Sequence, residues 1–144
     1  MEILIHGRCV LPGQAGGRLL VTSTAISFWG GVDPATGRVI DPRHPLFEES
    51  IHGCILAFPH GKGSSTGSLM MLELIRIGRA PAGIVNVRTE PILATGPIVG
   101  RHLYGRTVPM MTISQKDFSR LENGAMAELD ASAGEIRIGE GRRA

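Results

Sequence analysis

The sequence is poor in aromatic residues, in cysteine and in net charge. Aromatic side chains make up 4% of its 144 residues, with one Trp and one Tyr. The two cysteines, Cys9 and Cys54, make no disulfide framework and lack the spacing of metal ligands. The net charge of +2 is small and the arginines are scattered along the chain. These features argue against a disulfide-stabilised scaffold, a cysteine metal site and a nucleic-acid partner.

Long hydrophobic runs are also absent. No apolar run approaches the roughly 18 residues that indicate a membrane-spanning helix. The first six residues lack the basic region and the long apolar stretch of a signal peptide. Hydrophobic residues nevertheless make up 42% of the chain, which is enough for a packed core. We therefore expect a soluble, cytoplasmic protein with a single domain over residues 1–144.

Glycine is the residue that the sequence has in excess. There are 20 Gly and 9 Pro among the 144 residues, about a fifth of the chain, whereas the two together average roughly an eighth. They follow no Gly-X-Y period, which excludes collagen. This composition predicts many short strands and tight loops, and a backbone that comes close to another group.

Hydrophobic patterning predicts a mixed α/β fold. Short strands are predicted over residues 3–7, 18–22, 53–58, 83–87 and 108–112, and a closing hairpin over 125–130 and 135–138. Residues 11–17 are predicted to form a turn-rich loop. A buried helix over 69–77 would end at Gly78, and a second helix over 97–104 would begin at Pro97. Ser114 starts a capping-box pattern for a short helix that would end at Gly124.

Residues 61–68, GKGSSTGS, lie between a predicted strand and the first predicted helix. Glycines let the backbone approach a ligand, and a helix start presents free N–H groups and a positive dipole end to an anion. The spacing does not fit a Walker A loop. An alkoxide at such a helix start is stabilised by amide donors, so a serine there can act as a base without a histidine. An ordinary Ser/Thr helix cap with flexible glycines is the alternative interpretation.

Residues 27–45 form a second unusual segment, a long loop that contains the only Trp. It carries two Asp-Pro turns, at Asp33 and Asp41, and it ends with His44-Pro45. Long loops of this kind are often functional, but a packed structural loop fits equally well. The two Asp residues and His44 are metal-ligand types without metal-ligand spacing, and both Asp residues are favoured as turn starters.

The two segments together resemble the small subunit, or swivel domain, of the aconitase X family. The matching residues are 28–34, 36–37, 40–45, 61–68, 72–74, 80–82 and 91–94. The resemblance implies the swivelling β/β/α fold of the aconitase small domain. It also implies a larger partner subunit that carries an iron or iron–sulfur centre, whereas this chain would bind no cofactor.

The resemblance further implies a dehydratase that removes water from a small anionic hydroxy acid. Bacterial members of the family resemble cis-3-hydroxy-L-proline dehydratases, which form Δ1-pyrroline-2-carboxylate, and archaeal members dehydrate phosphorylated mevalonate. The composition, rich in Arg and Gly, favours the bacterial type. Neither a membrane nor a nucleic acid is expected as a partner.

Residue roles follow from the same resemblance. Ser64 matches the serine that acts as proton acceptor in the family. The residues expected to hold an anionic group of the substrate are Lys62, Gly63 and Ser65. The residues expected to meet the large subunit or to shape the site are Trp29, Asp33 and His44. The related aconitase pattern has an arginine where this chain has Thr66, so Lys62 or an arginine of the partner would replace it.

Two alternatives belong to other functional classes. A non-catalytic swivelling carrier would use a phosphohistidine, and His60 is the only histidine near the glycine loop. An anion-binding module would use the same loop without any chemistry.

Overall fold

The computed structural model describes residues 2–28, 30–62, 65–88, 91–106 and 108–139, with the backbone alone described at 61–62, 65–67 and 91–93. The strands are β1 (Ile3–His6), β2 (Arg8–Leu11), β3 (Gln14–Val21), β4 (Ile26–Ser27), β5 (Ile55–Ala57), β6 (Gly61–Lys62), β7 (Gly83–Asn86), β8 (Met110–Thr112), β9 (Met126–Asp130) and β10 (Glu135–Ile138). The helices are α1 (Ser65–Ile77), α2 (Pro91–Tyr104) and α3 (Gln115–Phe118).

Eight strands form one nearly closed mixed sheet in the order β1-β10-β9-β3-β5-β7-β8-β2. Strands β3, β5, β7 and β8 are parallel, and the remaining pairs are antiparallel. The two outermost strands, β1 and β2, are consecutive in the chain and separated by Gly7. The Gly7 N–H donates to the Gly134 carbonyl oxygen at 2.8 Å, which fixes the point where the chain passes from one edge of the sheet to the other.

The parallel strands are buried on both faces, because successive side chains of a strand point to opposite sides. Leu20, Leu56 and Ile84 face the core that α1 and α2 cover. Their neighbours Leu19, Ile55 and Val85 face a second core, which contains residues of β1, β9 and β10. This arrangement explains why the sequences of these strands are continuous apolar runs, without the alternation of apolar and polar residues that a half-exposed strand shows.

Helices α1 and α2 approach each other closely because a glycine lies at their contact. A Cβ at Gly96 of α2 would lie 2.6 Å from the Ser68 carbonyl oxygen of α1. None of the helices in the described residues is long and apolar enough to span a membrane.

Several local predictions are confirmed. The fold is mixed α/β, and β9 and β10 form the predicted antiparallel hairpin. Ser114 caps α3, because its Oγ accepts a hydrogen bond from the Asp117 N–H at 3.1 Å. That helix is shorter than predicted, however, since it ends at Phe118.

Other boundaries were predicted wrongly. Helix α1 begins at Ser65 instead of residue 69. Residues 14–17 belong to β3 instead of a loop, because Gly17 lets this strand pass close to another segment. A Cβ there would lie 2.8 Å from the Gly53 carbonyl oxygen. Helix α2 begins at Pro91, and Pro97 lies inside it. A proline does lie in the first turn of α2, as expected, but it is Pro91 and not Pro97.

Replacement of Gly7 by Ala is expected to destabilise the fold. The new Cβ would overlap the backbone oxygen of Thr112 and would lie 2.7 Å from Met111 Cε. Overpacking of this kind costs about 1–3 kcal/mol, and we expect a loss in the upper part of that range in urea unfolding. Gly16→Ala is the matched control, because the nearest atom to its Cβ would be 3.9 Å away. Equal stability of the two variants would contradict this account of Gly7.

Candidate functional site

The carboxyl ends of β3, β5 and β7 lie at one edge of the sheet. From this edge β3 leads to β4, β5 leads to residues 58–62, and β7 leads to residues 87–88. Ligands of parallel α/β sheets bind at this edge, where the loops after neighbouring strands converge. The glycine loop identified in the sequence follows β5 and therefore starts at this edge.

The segments after β5 and β7 are joined by hydrogen bonds. The buried Asn86 side chain donates from Nδ2 to the Phe58 carbonyl oxygen at 2.8 Å. The backbone N–H groups of Val87 and Arg88 both donate to the Pro59 carbonyl oxygen at 3.0 Å. The chain is therefore held in place two residues before the glycine loop begins. Asn86 was not predicted as a site residue, although a lone amide that ends an apolar strand is a signal of such a role.

A small parallel sheet brings the two unusual segments together. Strand β4 pairs with β6 so that Ile26 lies opposite Gly61 and Ser27 lies opposite Lys62. Next to this pair, the buried rings of Phe28 and Phe58 meet edge to face, with centroids 6.1 Å apart. The long loop therefore starts beside the strand that leads into the glycine loop.

The predicted catalytic and substrate-binding residues surround the start of α1 in the sequence. Lys62 lies in β6, and Ser65 is the first residue of α1. Gly63, Ser64 and Trp29 lie outside the described residues. Because Ser64 directly precedes the first helical residue, the free N–H groups and the positive dipole end of α1 follow it in the chain. The roles predicted for these residues stay predictions.

Asp33 starts a turn, as predicted. Its Oδ1 accepts a hydrogen bond from the Ala35 N–H at 2.9 Å, and its Oδ2 accepts one from Thr36 Oγ1 at 3.1 Å. Its carbonyl oxygen also accepts from the Gly37 N–H at 2.8 Å. Asp33 therefore holds the shape of the long loop, whose side chains Val32 and Val39 pack into the core on the helix side of the sheet.

Asp41 and His44 form a second turn in the same loop. Asp41 Oδ1 accepts a hydrogen bond from the Arg43 N–H at 3.0 Å, and the Asp41 carbonyl oxygen accepts one from the His44 N–H at 3.0 Å. His44 Nδ1 in turn accepts from the Leu46 N–H at 3.0 Å. In the neutral imidazole this bond leaves the ring hydrogen on Nε2. This Nε2 atom is buried and has no hydrogen-bond partner among the described residues.

The turn encloses a cavity of about 240 Å³, which we call the loop pocket. Its lining residues are Thr24, Ala25, Ile26, Ser27, Gly31, Val39, Asp41, Arg43 and His44. Ser27 connects the pocket to β6, because it is paired with Lys62. The pocket therefore lies beside β6, and it combines hydrogen-bond donors with one carboxylate.

The described residues contain no group of three or more His, Cys, Asp or Glu side chains that fits a metal ion. Cys9 is exposed on β2 and Cys54 is buried before β5. A pKa shift is found on the outer surface of α1, where hydrogen bonds from Arg76 lower the pKa of Glu73.

Replacement of Asn86 by Ala is expected to cost about 1–3 kcal/mol, because the buried Phe58 carbonyl oxygen loses this donor. Urea unfolding measures the loss. Asn123→Ala is the matched control, since its Oδ1 accepts from the Val21 N–H at an exposed position and its removal should cost less. A loss for Asn86→Ala no larger than that of the control would show that Asn86 does not hold this edge together.

The predicted swivel fold agrees with solved structures. Over 96% of this chain and 99% of the solved one, the fold matches the crystal structure of aconitase X from Thermococcus kodakaraensis in its holo-form. The TM-score of this match is 0.86 and the sequence identity is 37%.

The sequence comparisons give the same family. The chain is 48% identical over 113 residues to the cis-3-hydroxy-L-proline dehydratase of Pseudomonas aeruginosa, covering 78% of this chain and 20% of that protein. It is 39% identical over 139 residues to the phosphomevalonate dehydratase small subunit of Methanosarcina acetivorans, covering 96% of this chain and 92% of that subunit. The chain thus spans about a fifth of the first relative and nearly all of the second. Residues 4–138 match the family model of the aconitase X swivel domain, and the chain belongs to this family.

Proposed function

We propose that this chain is the small subunit of an aconitase X-type dehydratase and works in the cytoplasm with a separate large subunit. The phosphomevalonate dehydratase relatives are small subunits of similar length to this chain. The pairing of β4 with β6 is the observation that carries the proposal, because it brings the long loop and the glycine loop to one edge of the sheet. Membership of this family disfavours the phosphohistidine carrier and the anion-binding module.

In this proposal Ser64 accepts the proton from the carbon next to the substrate carboxylate. The electron pair of that C–H bond forms a carbon–carbon double bond, and the hydroxyl group leaves the neighbouring carbon as water or hydroxide. A serine alkoxide is a strong base, and it needs stabilisation to form. The free N–H groups and the positive dipole end at the start of α1 supply it.

The neighbouring residues bind the substrate in this proposal. Lys62, Gly63 and Ser65 hold an anionic group, since they combine a positive charge with backbone donors. Trp29, Asp33 and His44 belong to the loop that shapes the site or meets the large subunit. Asp33 does so indirectly, through the turn that it caps.

We place an iron or iron–sulfur centre on the large subunit, as the family resemblance implies. Such a centre would supply Lewis-acid activation of the leaving hydroxyl group. The substrate that we favour is cis-3-hydroxy-L-proline, whose dehydration forms a ring enamine that tautomerises to the imine Δ1-pyrroline-2-carboxylate. One relative named for this substrate is 48% identical to the chain over 113 residues, whereas a phosphomevalonate dehydratase small subunit is 43% identical over 129 residues. Phosphomevalonate is the alternative substrate.

Ser64→Ala is expected to lower kcat by a factor of at least about 100 in the complex with an aconitase X large subunit, because the proton acceptor is lost. The assay follows loss of cis-3-hydroxy-L-proline or of phosphomevalonate. Ser119→Ala is the matched control, since this serine bonds only locally to the Lys116 carbonyl oxygen. Wild-type turnover by the Ser64→Ala complex would rule out the proton-acceptor role.

Lys62→Gln is expected to raise KM by about tenfold or more, because a cation that binds the substrate anion is removed. The chain has one other lysine, Lys116 in α3, so Lys116→Gln is the control for the loss of one positive charge. A KM for Lys62→Gln equal to that of the control would contradict the anion-binding role.

A further inference from the structure

Helices α1 and α2 carry few charges for a surface layer. They have 13 and 14 residues, and the charged residues in their sequences are Glu73, Arg76 and Arg101. Glu73 and Arg76 neutralise each other, because Arg76 Nη2 lies 2.6 Å from Glu73 Oε2. Residues 91–100 of α2 include no charged residue. A helix that is apolar around its whole circumference is normally buried.

Both helices nevertheless leave apolar side chains in solvent. Leu69 of α1 is 59% exposed and Leu103 of α2 is 63% exposed, the highest values for large hydrophobic side chains in the described part of the chain. Both lie away from the core, which α1 meets with Leu74 and α2 meets with Ala94. We call this outer surface the helix face. Its exposed large hydrophobic residues are Leu69, Ile98, Leu103 and Tyr104.

The helix face is continuous from one helix to the other. A Cβ at Gly96 would lie 2.6 Å from the Ser68 carbonyl oxygen and 3.4 Å from the Leu72 nitrogen, so α2 lies directly against α1. Half-buried Val99 is four residues before Leu103 and shares its side of α2. The apolar surface therefore extends from α1 across this contact onto α2.

The opposite side of the molecule has a different character. It is the outer surface of β1, β10, β9 and β3, which we call the sheet face. Exposed Arg137 lies opposite exposed Glu128, and Glu135 lies opposite Asp130. Charged residues are depleted in the cores of protein interfaces, whereas aromatic residues are enriched. The helix face, which contains the only tyrosine of the chain, Tyr104, therefore fits a protein partner better than the sheet face.

We propose that the helix face binds the large subunit of the dehydratase. The helices follow β5 and β7, so both begin at the sheet edge where the candidate site lies, and a partner that completes this site has the helix face beside it. The matching part of the Pseudomonas aeruginosa relative is 20% of that protein, so a much larger body accompanies the same domain there. The proposal rests on the dehydratase function above, and it specifies the surface that the partner covers.

The test measures the dissociation constant of the complex between the co-expressed subunits, by sedimentation velocity over a dilution series. Leu103→Asp is expected to raise this constant at least about tenfold, because a carboxylate would be buried against an apolar surface. Leu103→Met keeps an apolar side chain and should stay within about threefold of the wild type. Met126→Asp is the matched control, since Met126 is an exposed hydrophobic residue of the sheet face, and it should also leave the constant nearly unchanged.

A second measurement needs no variant. Hydroxyl-radical footprinting compares side-chain oxidation in the wild-type complex above and below its dissociation constant. We expect at least about threefold protection of Leu103 and Tyr104 in the assembled complex, because the centre of an interface excludes water. Leu4 and Met126 of the sheet face should be oxidised equally in both states.

The outcomes separate this proposal from the function on which it rests. A wild-type dissociation constant for Leu103→Asp, or protection at Leu4 and Met126 but not at Tyr104, would overturn it. Pairing of two copies of this chain that Leu103→Asp abolishes, while the large subunit still binds, would assign the helix face to a second copy and would overturn it as well. A dehydrating complex in which the helix face stays exposed would refute only this inference, whereas failure to bind any aconitase X large subunit would refute the dehydratase assignment itself.

Discussion

The hydrogen bond from the buried Asn86 amide to the Phe58 carbonyl oxygen is the interaction on which the geometry of the candidate site depends. Parallel strands end with carbonyl groups that the next strand no longer pairs, and a buried carbonyl without a donor is unfavourable. Asn86 supplies the donor, and the N–H groups of the next two residues pair with the Pro59 carbonyl oxygen. The glycine loop consequently starts from a fixed point, although glycine itself imposes little order on the backbone.

The long loop illustrates how one segment serves both structure and function. Its apolar residues pack against the helix side of the sheet, and its two aspartates hold its turns. Packing of the apolar residues leaves the polar residues of the second turn around a cavity next to β6. The interpretation as a structural loop and the interpretation as a functional loop are therefore compatible, because the same turns that fix the backbone also place Asp41 and His44.

Local sequence signals predicted much of the fold. The cap of α3, the β9–β10 hairpin and the buried helix α1 each depend on residues close together in the chain, so their patterns are visible without the tertiary structure. The β4–β6 pair was not predictable in this way. Each of its strands has two residues, and Ser27 and Lys62 are brought together by the packing of Phe28 on Phe58. Contacts between distant segments require knowledge of the whole core.

The turn at Gly7 has a consequence for assembly. Strands at the edge of a sheet expose unpaired backbone groups, and these invite strand addition by another chain. Here the two outer strands of the eight-stranded sheet follow each other through Gly7, so the edges converge instead of ending far apart. Strand addition to this sheet is therefore disfavoured. A large subunit would then bind through loops and side chains and would not extend this sheet.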